Sequence, residues 1–439
     1  SLHDALPIFY DNAISVAAKK NNVSTYEMAI HYQNIIKDQL SYFNIDIDRL
    51  INYLEPELIK KSKHILTSLN KNLSPILFTK NVSYPYSADN TPLSGNWLTG
   101  KCKKCHHDTK GYSCDRCGIS ITPNDIYDFN FEQSYVTQGI TWEDKMISFL
   151  SVPFSDLENY IESQPISDDI KSLCYVLNQQ KNNCYQWTAI DQWGMSLNSE
   201  VKDEVFFNRN FTLIEQMIIA DIFYENHGEN PFSIDSEVKT ILAYGKDNVG
   251  LLLIDLPSIL LGSKVFEPYR QHWVSHFYCI DGQKMSTSKN FAIWLDDIMT
   301  SNISSDSTRA YICSVYSRNE DTNLDLKSLL EHEKFTVDLQ QGILSLNKIT
   351  QKDSGESVLS SRMQSIAEKV DAIFSNVDLD FKEYYNRYKE FCSLIYYVNC
   401  QKSAILWVEI FHGYFSALVP NTAFFAKENV RFYAKDSKM

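Results

Sequence analysis

Apolar residues recur at helical spacing soon after the chain begins: Met28, Tyr32, Ile35, Ile36, Leu40 and Phe43 share one face. They follow Ser24-Thr-Tyr-Glu27, which has the form of a capping box. The pattern predicts one amphipathic helix there and a second over about Asp48 to Lys71. Pro75, Pro85, Pro92, Gly95, Gly100 and Gly111 then interrupt all periodicity until about Asp125, as a loop-rich inserted module would. Helical spacing returns from Thr141 to Leu177. Thr240-Ile-Leu-Ala-Tyr244 predicts a buried strand, followed by the turn Gly245-Lys246-Asp247 and an apolar helix to Leu261. Ser275 to Ile280 predicts another strand, stopped by Asp281-Gly282, and beyond about Ser307 the spacing is predominantly helical. The Ser/Asp-rich stretches near Ser301–Ser307 and Lys352–Ser361 read as linkers, and no internal repeat is found.

Composition adds size and compartment. With 439 residues, 44% of them apolar, the chain can bury cores for two or three domains. No run of about 18 apolar residues occurs, and the start has neither a basic nor an apolar leader region, so neither a membrane span nor a signal peptide is expected and the cytoplasm is the default. The first residue is Ser, and Ser1–Ile8 (SLHDALPI) reads as a translated sequencing-adapter tail. A net charge of −14 argues against binding nucleic acid through the overall field. From Ser301 onward sixteen Lys and Arg face eighteen Asp and Glu, so the C-terminal part is nearly balanced and permits an RNA contact.

Four of the ten cysteines form Cys102-x2-Cys105-x8-Cys114-x2-Cys117, two knuckles whose thiolates can converge tetrahedrally on zinc. Free or disulfide-bonded cysteines are the alternative, and six scattered thiols suit a reducing compartment. Four protein ligands leave no open position, so the expected zinc is structural. His106 and His107 read as surface or supporting residues. Farther on, Lys284-Met285-Ser286-Thr287-Ser288-Lys289 follows a strand and an Asp-Gly turn, where α/β proteins bind ligands. Its lysines and hydroxyls can pair with triphosphate oxygens, although a solvated charged loop has the same composition.

Read together, these pieces resemble methionyl-tRNA synthetases. Lys284-Met-Ser-x-Ser288 is similar to the second signature of class I aminoacyl-tRNA synthetases, and Lys101–Gly118 resembles the zinc knuckle of the methionyl family's connective peptide. Ile14–Ser24, Asn124–Asp128, Trp193-Gly194, Tyr244–Asp247, Asp306–Asp325 with Arg309 and Tyr311, and Leu418–Ala423 match further family segments in order. The resemblance implies an α/β fold: a Rossmann-type parallel sheet split by the zinc-knuckle connective peptide and followed by an α-helical anticodon-binding-like domain. The implied divisions are 1–71 and 136–300 for the core, 72–135 for the connective peptide and 301–439 for the helical domain. It also implies activation of an amino acid, methionine by family, with ATP and magnesium, and transfer to tRNA. Lys284 and Lys289 are the catalytic candidates. ATP would be held by Lys284, Ser286, Thr287, Ser288, Gly245, Asp247 and His276, with a helix N-cap as an equal alternative for Asp247.

The chain also departs from that family. Its first signature, His-x-Gly-His, is absent and belongs upstream of Ser1, so an N-terminally truncated and catalytically impaired chain is expected. Thr287 replaces the second lysine of the phosphate loop. In the amino-acid pocket, formed by Phe207, Arg209 and Phe211, Arg209 stands in place of a tryptophan and Phe211 in place of an aspartate. Ser275 takes a histidine's place, with His276 beside it. A buried guanidinium needs an anionic partner. This leaves two alternatives open: a paralogue adenylating another, perhaps acidic, amino acid without tRNA, and an inactive RNA-binding or scaffold homologue.

Overall fold

The computed structural model describes residues 10–114, 116–131, 139–152, 154–197, 203–264, 266–286, 291–353, 357–375 and 379–430. The chain divides into two compact units. The larger comprises the chain through Ile35 together with Asp48–Ser275, and the smaller comprises Ile36–Ile47 and everything from His276.

In the larger unit, α1 (Asn12–Lys20) is capped by Asp11, whose carboxylate accepts from the Ala13 amide. Helix α2 (Thr25–Tyr42), whose turns from Ile36 belong to the smaller unit, starts at the expected capping box: the Ser24 amide donates to Glu27, and the Glu27 amide to Ser24 Oγ. Helix α3 (Pro56–Leu73) begins later than the periodicity suggested because Pro56 fits the first helical turn, where a missing N–H costs nothing. Strands β1 (Leu77–Tyr86), β2 (Leu98–Cys102), β3 (Asp108–Lys110) and β4 (Ile126–Phe131) occupy the stretch expected to be loop-rich.

The expected helix at Thr141 is instead β5 (Thr141–Ser151), antiparallel to β1 from Leu77 opposite Leu150 to Tyr86 opposite Thr141. Val82, Tyr84, Ile147 and Phe149 bury one face of the pair, a long-range pairing that overrides local periodicity. The helical signal belongs to α4 (Phe154–Ser163) and α5 (Asp168–Lys181). After β6 (Cys184–Gln186), β7 (Thr188–Ile190) and β8 (Glu204–Phe206) come α6 (Phe211–His227) and β9 (Ile241–Gly245). Of β9 only Tyr244 is buried, and Ile241 is 39% exposed, so this strand is not the fully buried one anticipated.

The following apolar segment is not a uniform α-helix. Gly250–Asp255 winds as a π-helix before α7 (Leu256–Ser263), and Pro257, which supplies no N–H and crowds the preceding turn, accounts for the wider winding. The strand expected over Ser275–Ile280 is two. β10 (Gln271–Ser275) runs parallel to β9 in the larger unit, and β11 (Tyr278–Ile280) lies in a separate sheet of the smaller unit.

In the smaller unit β11 pairs with β12 (Gln283–Lys284) across Asp281-Gly282, both at positive φ (50° and 75°), the conformation of a tight two-residue hairpin turn. Helices α8 (Leu295–Thr300) and α9 (Ser305–Val315) follow, then β13 (Thr322–Leu324), parallel to β11. Helices α10 (Leu326–Ser345), α11 (Ser357–Ser375), α12 (Phe381–Ser393), α13 (Gln401–Phe415) and α14 (Pro420–Asn429) complete the unit. Their core stacks Phe391, Trp407, Phe411 and Phe415, all fully buried. Arg309 on α9 donates to the carbonyls of Phe43, Ala417 and Leu418, tying the end of α13 to the α2 segment. No helix among the described residues is long and apolar enough to cross a membrane.

Candidate functional site

The knuckle is built from the backbone outward. His106 and Gly118, each just past the second cysteine of its pair, take positive φ (58° and 70°) and donate their amides to the carbonyls of Cys102 and Cys114. The amides of Cys102 and Cys114 in turn donate to His107 and Ile119. The two turns therefore repeat one hydrogen-bond pattern and aim four sulfurs at a common point. Cys102 and Cys117 Sγ lie 3.8 Å apart, Cys105 and Cys114 Sγ 3.5 Å apart, and all four fall within 4.8 Å of one another. A tetrahedral zinc tetrathiolate with bonds of about 2.3 Å has sulfur separations of about 3.8 Å, so the donor set and spacing fit that ion. His106 is not part of the cluster: its Nδ1 lies 3.0 Å from the Tyr127 hydroxyl.

A buried polar network adjoins the knuckle, and periodicity gave no sign of it. Asn12, fully buried at the start of α1, donates to the Ser94 carbonyl (2.8 Å) and the Tyr112 hydroxyl (2.7 Å) and accepts from the Asn96 amide (3.0 Å). Tyr112, from the knuckle loop, donates to Asp191 Oδ2 at 2.9 Å, while Asp191 Oδ1 accepts the Trp193 amide at 3.0 Å. Burial lifts the Asp191 carboxyl to about 6. Four segments distant in sequence are thereby held together, including the Trp193-Gly194 match. The available signal was an Asp two residues before Trp-Gly.

The three pocket candidates fall in different surroundings. Phe207 is buried edge-on to Tyr112, with ring centroids 5.2 Å apart. Phe211, at the start of α6, is 1% exposed and stacks on Tyr10 at 4.8 Å; Tyr10 also meets Trp193, at 5.6 Å. Arg209 lies in the 3-10 turn Asn208–Asn210 and is half-buried. Its charge acts on Asp255, which is buried against Lys181 at 2.7 Å. Glu215, one turn beyond Phe211, has its carboxyl raised to about 7 by desolvation.

At the C-terminal end of β9, Gly245 caps a 3-10 turn containing Asp247, so the cap position belongs to the glycine. A Cβ on Gly245 would meet Asp247 Oδ1 at 2.8 Å, so this carboxylate folds back over the strand end and would have to shift for a larger residue. Nearby, His272 on β10 is fully buried between Tyr160 (Nε2 to hydroxyl, 2.6 Å) and Tyr244 (Nδ1 to hydroxyl, 2.8 Å). The Tyr160 hydroxyl donates to the Tyr269 carbonyl, so it accepts from Nε2–H, which leaves Nδ1 to accept from Tyr244. Burial depresses this imidazole to about 3, keeping it neutral.

In the smaller unit, His276 is buried with Nδ1 3.6 Å from Asp321 Oδ1. Lys284 is exposed on β12, its ammonium 3.6 Å from the Phe277 ring centroid, and Ser286 exchanges backbone hydrogen bonds with Phe291. Thr287, Ser288 and Lys289 lie outside the described residues. Gly245, Asp247, Phe207, Arg209 and Phe211 are in the larger unit, whereas His276, Lys284 and Ser286 are in the smaller.

Comparison with known proteins gives the family and the fold. Residues 9–341 match the family model described as tRNA synthetases class I (M), and the chain belongs to that family. Among curated relatives, a methionine–tRNA ligase of Methanococcus aeolicus is 21% identical over 65% of this chain and 43% of its own length. One of Streptococcus pneumoniae is 23% identical over 72% of this chain and 59% of its own. The chain thus spans about half the length of these relatives. Mycobacterium tuberculosis methionyl-tRNA synthetase bound by methionyl-adenylate shares the fold, with a TM-score of 0.62 at 13% identity over 94% of this chain and 82% of that one.

Proposed function

We propose that the protein is the body of an amino acid–tRNA ligase that activates methionine with ATP and passes it to tRNA. The observation that carries this reading is the family match over residues 9–341, which takes in both the four-sulfur knuckle and the Lys284 loop. We assign residues 1–71 and 136–300 to a Rossmann-type core, 72–135 to the connective peptide and 301–439 to a helical anticodon-binding-like domain. Zinc held by Cys102, Cys105, Cys114 and Cys117 supplies folding energy to the knuckle and takes no part in the chemistry.

In the proposed reaction the amino-acid carboxylate attacks the α-phosphate of magnesium-bound ATP, pyrophosphate leaves, and the acyl group moves to a terminal ribose hydroxyl of tRNA. Lys284 and Lys289 are assigned to neutralise charge on the departing pyrophosphate and Ser286, Thr287 and Ser288 to offer hydrogen bonds to its oxygens, with Gly245, Asp247 and His276 as the further ATP-binding candidates. Phe207, Arg209 and Phe211 lie at the amino-acid pocket. Two observations favour methionine over an acidic substrate. Arg209 already has the carboxylate of Asp255 in its field, and Glu215 places a second carboxyl on the helix that follows. ATP–pyrophosphate exchange by protein from the complete reading frame tests the reading. Methionine-dependent exchange that falls at least a hundredfold in Lys284→Ala is expected, and exchange driven by another amino acid alone refutes it.

A further inference from the structure

Tyr112 belongs to the knuckle loop, yet its side chain packs elsewhere. Its ring enters a small buried cluster otherwise made by Ala189 on β7, Val205 on β8 and the pocket candidate Phe207, whose ring it meets edge-on at 5.2 Å. Gly95 provides the seat: it stands at φ +56°, and a Cβ there would fall 2.4 Å from Tyr112 Cζ. Trp193-Gly194 presses on the same cluster, since a Cβ on Gly194 would lie 2.7 Å from Val205 Cβ. The tyrosine ring is thus packed against bare backbone at Gly95 and against Phe207.

The hydroxyl is fixed as firmly. It accepts from Asn12 Nδ2 at 2.7 Å and donates to Asp191 Oδ2 at 2.9 Å, and all three residues are buried. Asp191 Oδ1 holds the Trp193 amide at 3.0 Å, the Trp193 ring meets Tyr10 at 5.6 Å, and Tyr10 stacks on the second pocket candidate, Phe211, at 4.8 Å. Ser94 ties the network to the residue before Asp191: its carbonyl accepts from Asn12, and its hydroxyl donates to the Ile190 carbonyl at 3.1 Å. One side chain therefore reaches Phe207 directly and Phe211 by way of Asp191, Trp193 and Tyr10. All of these residues lie in the larger unit. Buried polar networks rigidify what they join, and removal of one member strands the others. The single hydroxyl proton of Tyr112 is spent on Asp191, so the side chain acts through its neighbours.

We propose that Tyr112 is a positioning residue for the amino-acid pocket: bridging Asn12 and Asp191, it holds Phe207 and, through Trp193, the Tyr10–Phe211 stack at the spacing the substrate side chain requires. What the pocket receives rests on the ligase reading, whereas the linkage rests on these contacts. The test is steady-state ATP–pyrophosphate exchange with protein from the complete reading frame. Tyr112→Phe keeps the ring against Gly95 and Phe207 and removes only the hydroxyl. It should raise KM for methionine about tenfold, with kcat and KM for ATP within about twofold of wild type. Asp191→Asn should give the same selective rise. Because both substitutions act on one link, the double variant should lie within about twofold of the more affected single variant. Tyr185→Phe removes another buried hydroxyl of the same unit, bonded to Asn178 at 3.0 Å, and should lower the unfolding temperature with KM for methionine in place. Zinc content and thermal unfolding show that each variant is folded; if Tyr112→Phe is not, Asp191→Asn decides.

An unchanged KM for methionine in the folded variants, equal rises for methionine and ATP, or additive losses in the double variant overturn the proposal. Equilibrium dialysis of labelled methionine separates the two readings. Binding by wild type that weakens about tenfold in Tyr112→Phe, without exchange by wild type, sinks the ligase reading alone. Exchange by wild type with equal methionine affinity in Tyr112→Phe sinks this proposal alone, and neither binding nor exchange by wild type overturns both.

Discussion

Asp191 and His272 give the larger unit opposed responses to pH. Burial raises the Asp191 carboxyl from 3.8 to about 6, so the folded chain holds this proton more tightly than the unfolded one. Its contribution is most favourable below pH 4 and is lost as pH rises from about 4 to 6, on the order of 3 kcal/mol. His272 runs the other way. Its folded value of about 3 lies below the unfolded 6.5, so stability is lost as pH falls through that interval. Comparing thermal unfolding of wild type and Asp191→Asn at pH 5 and pH 8 isolates the first effect. The variant should be the less destabilised of the two on going to pH 8, and identical pH profiles contradict the assignment. For His272→Phe, loss of the Nδ1 acceptor leaves the buried Tyr244 hydroxyl unpaired, and urea unfolding should show a loss of about 1–3 kcal/mol. Neither residue was legible in the sequence, because a lone Asp or His does not reveal which distant segments will cover it.

The elements divide by the range of the interactions that make them. The knuckle was legible because its determinants are local: two Cys-x-x-Cys pairs, each closed by a residue at positive φ. Gly118 shows the added tertiary constraint, since a Cβ there would fall 2.0 Å from Leu177 Cδ2 while φ stands at +70°. Gly118→Ala should lower the unfolding temperature of the zinc-loaded protein and weaken zinc retention against a chelator, and Cys105→Ser should lose the metal altogether; unchanged zinc content in Cys105→Ser rules out the tetrathiolate site. The Ser24 capping box and the Asp281-Gly282 hairpin were legible for the same local reason. Strand β5 was not, because its partner β1 lies some sixty residues earlier and only the pairing reveals the alternation of Ile147 and Phe149. The π-helical stretch before Pro257 was likewise hidden, since an apolar run has no feature that distinguishes one winding from another.

For the whole molecule, net charge, two compact units and family membership are separate kinds of information. The net charge of −14 describes an average over the chain and not the charge of any one surface. Family membership followed from motifs kept in order along the chain, the four-cysteine knuckle first among them, while substrate choice depends on a few side chains around Arg209 and Phe211 that family membership does not determine. The central claim is tested most directly by ATP–pyrophosphate exchange with each of the twenty amino acids, using protein from the complete reading frame. The account predicts exchange with methionine, lost in Lys284→Ala. Exchange with none of the twenty, where a control methionine–tRNA ligase is active, would contradict it.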